Sequence, residues 1–144
     1  MATIDVTNNG VVFNSTGDAV ANASAIVDIF ETQANAGDTI EFPFASGDVL
    51  WLDTNDASLA RIVDLNGSNI PDNLTVRGTT DSNDVPQGVI RAADGVSVLS
   101  YFWELSVRDG MTLTIEDLEF DANDRNNGNT QIPFIARDGD ARGI

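Results

Sequence analysis

The chain has 144 residues, 42% of them hydrophobic and 21% charged, which is enough apolar material for one packed domain and too much for a disordered tail. Against 23 acidic residues stand seven basic ones, all arginine, and the net charge of -16 repels phosphate backbones and anionic lipid surfaces. With neither cysteine nor histidine, disulfides, thiolate or imidazole metal sites and Ser-His-Asp chemistry are excluded for these residues. Nucleic acid and membrane insertion are therefore not expected: no apolar run is long enough to span a bilayer, and MATIDVTNNG has no signal-peptide pattern.

The first element is a helix. Ile26, Ile29, Phe30 and Ala34 recur at i, i+3, i+4 and i+8, which predicts a helix over about 24–36, with Asn22 or Ser24 as N-cap and Gly37 as the stop. Short β-type runs then alternate with Gly, Asn and Asp: 39–42, 49–52, 60–65, 74–78, 88–92 and 113–120. The longest is VSVLSYFWELSV, where Leu99, Tyr101, Trp103, Leu105 and Val107 share one parity, opposite Ser100, Phe102, Glu104 and Ser106. Aromatic residues here and Trp51 suit stacking on sugar rings, but an apolar parity in a strand is more often core.

An internal repeat is the most informative feature. LTVRGTTDSND from Leu74 and LTIEDLEFDAND from Leu113 align with one gap, 39 residues apart, which predicts that Leu74 and Leu113 lie above one another with Val76 and Ile115 beside them. The tetrad D-x-N-D recurs at 53, 81 and 121. A short strand followed by an Asx-type corner cannot bury itself, whereas stacking such units builds a continuous core. The expected fold is thus all-β, a right-handed parallel β-helix with an N-terminal capping α-helix. The Asn-Gly pairs at 9, 66 and 127 keep a β-sandwich of carbohydrate-binding type as the alternative.

Two stretches carry a resemblance. STGDAVANASAIVDIFETQANAGDTIEFP, through Gly17, Asp18, Ser24, Ile26, Gly37, Asp38, Ile40 and Pro43, resembles the opening of pectin-lyase-like right-handed β-helices, closest to mannuronan epimerases and alginate-active members. LTIEDLEFDANDRNNGN is similar to the stretch of that superfamily in which two strands around Asp-Leu run into a loop bordering the substrate groove. Ala122 and Ala19 stand where those proteins carry glycine, and the superfamily's Tyr, His and Asp cluster falls on later coils. The resemblance implies one domain over 1–144, with a cap over about 1–45 and first coils over about 46–144, continuing into a longer protein.

The function implied is the N-terminal part of a secreted polyuronate lyase or epimerase, or alternatively a non-catalytic structural or adhesive β-helix of a virion or cell surface. No catalytic residue is assigned. Arg125, with Asp121, Asn123 and Asp124 in the same loop, is expected to meet an acidic polysaccharide or other glycan. Asp53, Asp56, Asp81 and Asp84 offer the hard oxygen donors that calcium takes, although Asp and Asn equally close turns through their own backbone. Further coils or a homo-oligomer are expected to cover the C-terminal end. The sequons at Asn14, Asn22, Asn66 and Asn73 matter only in a host that glycosylates.

Overall fold

A computed structural model describes residues 1–54, 61–65, 70–95, 102–107, 109–123, 125 and 134–138. In chain order the elements are strand β1 (Thr3–Asp5), helix α1 (Ala19–Asp28), β2 (Thr39–Glu41), β3 (Val49–Leu52), β4 (Val63–Leu65), β5 (Leu74–Arg77), β6 (Val89–Ala92), β7 (Trp103–Val107), β8 (Leu113–Glu116), β9 (Glu119–Asp121) and β10 (Phe134–Asp138). They make three sheets, ordered β1-β2-β5-β8, β3-β6-β9 and β4-β7-β10. Every ladder is parallel. From β2 onward, successive strands visit the three sheets in the same order three times.

This corrects the sandwich alternative, because hairpin-linked strands would pair antiparallel and the described residues hold only an isolated antiparallel bridge, Thr80 with Pro86. Asn9-Gly10 closes a short 3-10 turn instead, with Gly10 at φ 95°. The other two Asn-Gly pairs lie outside the described residues.

Register follows the 39-residue repeat. Leu74 pairs with Leu113 and Val76 with Ile115, as the repeat predicts. The acidic tetrads do not follow it. Asp81 lies in the loop after β5, while the stretch from Leu113 turns at once into β9, because Asp117 adopts φ 59° and bends the expected single strand into two. Asp121 consequently belongs to the sheet of β3 and β6, and Asp81 is not its counterpart.

Alternation within each strand sends Ile40, Leu50, Leu52, Val63, Leu65, Leu74, Val76 and Ile90 into one contiguous core. Trp103 lies at its centre, edge-on to Phe30 at 6.2 Å and to Phe120 at 5.3 Å between ring centroids. Leu99 and Tyr101 lie outside the described residues. On the opposite parity of β7, Phe102 and Glu104 are buried as well, so that strand is not one-sided as its pattern suggests.

The helix begins earlier than its apolar stripe. Ala19, Ala21, Ala23 and Ala25 favour helix strongly and extend it toward the N-terminus, after a 3-10 turn at Thr16–Asp18. It passes into a π turn at Ile29–Gln33 and ends at the extended Ala34, so Gly37 serves the next turn and not the helix stop. Asn22 is no cap but a buried residue of the helix interior. Ile26, Ile29 and Phe30 are fully buried, and α1 lies against β3 and β4, the first strands of their sheets.

Candidate functional site

The residues singled out by charge and motif converge where the chain leaves the sheet β3-β6-β9. Asp53 directly follows β3, and its backbone N–H donates to the Ala19 carbonyl. Its Oδ1 accepts the Thr54 N–H at 2.8 Å and the Arg125 guanidinium at 2.9 Å. Arg125 is nearly buried and also reaches the Ala93 carbonyl at 3.4 Å. Gly95 leaves room for it, since a Cβ there would stand 3.0 Å from Nη2. One guanidinium thereby ties together the corners that follow β3, β6 and β9.

Beside it Asn123 adopts φ 54°, a left-handed conformation that asparagine tolerates. Its amide donates to the Ala92 carbonyl at 3.0 Å and to Asp94 at 2.8 Å, while its own N–H donates to Asp121 Oδ1. Asp121 Oδ2 accepts from Arg91 Nε at 2.7 Å. The Arg91 guanidinium in turn lies over the Trp51 ring, 5.5 Å from its centroid. These three residues form a row, because Trp51 pairs with Arg91 and Arg91 with Asp121 in successive ladders. The row lies on the face opposite Leu50, Ile90 and Phe120.

Of the residues expected to meet a glycan, Asp121, Asn123 and Arg125 are brought together; Asp124 lies outside the described residues. Arg125 differs from expectation in being turned inward, its side chain only 4% exposed, so it holds the corner and does not face solvent. Arg91 is the member that motif reading passed over, while Trp51 was named for sugar stacking without a place in the fold. The signal was the alternation in VLWL, which puts Trp51 on the outer face once Leu50 and Leu52 are taken as core.

The described acidic loops are held by their own chain. Asp53 is paired with Arg125, and Asp56 lies outside the described residues. Asp81 Oδ1 accepts the N–H groups of Asn83 and Val85, an Asx-type corner closed by Asp84 at φ 60°. Among the described residues no three acidic side chains cluster.

Four arginines are each engaged by a carboxylate: Arg61 with Glu104 at 2.6 Å, Arg77 with Glu41 at 2.8 Å, Arg91 with Asp121 and Arg125 with Asp53. A cleft of about 230 Å³ lies between the outer side of α1 (Val20, Ser24, Val27) and Asp53, Thr54 and Ile62. Among the described residues that line it the ionisable group is Asp53, paired with Arg125. No described helix is long and apolar enough to cross a membrane. Compared with protein-family models, with curated proteins and with solved structures, the chain matches none.

Proposed function

We propose that this chain is the cap and first three coils of a right-handed parallel β-helix of the pectin-lyase-like kind, working at the cell exterior or a virion surface on glycans. One observation carries the reading: parallel strands visit three sheets in a fixed order three times, with α1 and β1 closing the first strands. Right-handed connection is the strong preference for parallel strands. The large acidic excess suits an extracellular, solvated surface.

Within that class, glycan binding or adhesion is favoured over uronate lysis or epimerisation by these residues. The chemistry at a uronic acid requires a cation for the carboxylate, a base for the C5 proton and an acid on the other side. Here the four described guanidinium groups all face carboxylates of their own chain, and histidine is absent. The solenoid itself serves as a stiff support, and its stacking edge is a site for further coils or for a second copy.

The tests are affinity electrophoresis on a panel of polysaccharides, the absorbance of unsaturated uronate, C5 proton exchange on alginate and pectate, and molar mass in solution. Retardation by a glycan with no turnover is expected. Turnover by this chain would overturn the non-catalytic reading, and no retardation by any polysaccharide would overturn glycan binding.

A further inference from the structure

We infer that the outer row Trp51–Arg91–Asp121 is a stacking platform for a neutral glycan, an inference that rests on the glycan-binding reading above. Parity is the first ground. In β3 the inward positions are Leu50 and Leu52, both fully buried, so the indole of Trp51 is on the outside and only half-buried. A large aromatic ring on the outer face of a sheet is not needed for the core, which already holds Trp103 and the phenylalanines.

Geometry is the second ground. The row runs across three paired strands at successive spacings of about 4.8 Å, close to the length of one pyranose unit in an extended chain. It passes from an aromatic ring, through a guanidinium that donates to Asp121, to a carboxylate. The apolar CH face of a sugar fits the part of the indole that Arg91 leaves open, and hydroxyl groups fit the guanidinium and the carboxylate as hydrogen-bond partners.

Charge selects the kind of glycan. Arg91 is the cation of the row, and Asp121 at 2.7 Å already neutralises it. A uronate carboxylate would have to displace Asp121 and then meet the field of a chain carrying -16. A sugar without charge meets neither obstacle.

The test follows the indole Nε1–H resonances of the chain during titration with three sets of oligosaccharides: neutral cello-, xylo- and laminari-oligomers, oligouronates from alginate and pectate, and chitosan oligomers. A neutral oligomer is expected to shift the Trp51 resonance, identified by its loss in Trp51→Ala. That variant should bind about tenfold more weakly with an unchanged far-ultraviolet spectrum, and Trp51→Tyr should restore most of the affinity. Undiminished binding by Trp51→Ala would place the glycan elsewhere and overturn the platform while leaving the glycan-binding reading intact. Preference for oligouronates or for chitosan oligomers would overturn the charge argument. Absence of binding to all three sets would remove both the platform and the reading beneath it.

Discussion

At Gly88 the next layer of the core comes too close for any side chain. A Cβ there would lie 2.2 Å from Cγ of Phe44, itself buried, tilted against Phe13 and stacked on Phe42, so the ring has nowhere to go. Gly88→Ala is expected to cost about 2–3 kcal/mol by denaturant titration, whereas Gly17→Ala, with nothing within 4 Å of the new methyl group, should change stability by less than about 0.5 kcal/mol. Asp38 shows the opposite economy, a buried carboxylate with a use for both oxygens. Its pKa is held below the ordinary aspartate value, chiefly by the Asn35 N–H and then by the Ala2 N–H, each at 2.8 Å, with burial opposing them. A depressed folded pKa means that this stabilisation is present above the unfolded value of about 4 and is lost as pH falls through the lower folded value. Asp38→Asn should thus lower Tm at pH 7, and the gap to the parent protein should narrow as pH is brought from 4 toward 2. A gap that stayed constant would show that ionisation of Asp38 plays no part. Neither constraint was legible beforehand: Gly88 reads as the first residue of the strand run 88–92, and Asp38 as one residue of the opening that carries the resemblance.

The elements explain how the first strand of a parallel sheet avoids an unpaired edge. Asn14, at φ 60°, donates its N–H to the Val49 carbonyl at 2.7 Å and accepts the Val49 N–H on its side chain at 2.9 Å, standing in for a neighbouring strand. Farther along, the buried amide of Asn22 donates to the Val12 and Trp51 carbonyls and accepts the Val12 N–H, joining α1 to β3 and to the segment before it. Asn22→Ala would leave these backbone groups without their partner, and a loss of about 2–3 kcal/mol is expected from thermal or denaturant unfolding. A loss below about 0.5 kcal/mol would mean that water replaces the amide freely. The same burial makes the sequon at Asn22 inaccessible to glycosylation in the folded chain. The apolar stripe of α1 was readable from Ile26, Ile29 and Phe30, but its start was not, because the alanines that extend it carry propensity without periodicity.

For the whole molecule the dominant electrostatic quantity is the excess of sixteen negative charges, against four ion pairs among the described residues. Two of those pairs, Arg77–Glu41 and Arg91–Asp121, are partly open to solvent on both sides, and such pairs contribute little. Self-repulsion outweighs them, so added sodium chloride should raise Tm at pH 7 as it screens like charges within its Debye length of about 10 Å at 0.1 M. A Tm that fell between 0 and 0.3 M salt would show that the pairs, Arg125–Asp53 above all, outweigh the repulsion. The same excess underlies the preference for an uncharged partner at the outer row of β3-β6-β9.

Much of the strand pattern was determined by local sequence. VLWL, LTVR and VIRA appear where alternation and Gly, Asn or Asp punctuation place them, and the 39-residue repeat determined the register of Leu74 on Leu113. Period-two burial and repeat length are properties of neighbouring residues, and a single chain carries them openly. The corner was decided only by tertiary structure. D-x-N-D reads alike at 53, 81 and 121, yet Asp53 receives Arg125 from 72 residues away, Asp81 closes its own turn, and Asp121 takes Arg91 from the next strand. Which carboxylate meets which guanidinium depends on the left-handed bend at Asp117, which moves β9 under β6 and thereby sets Trp51, Arg91 and Asp121 in one row.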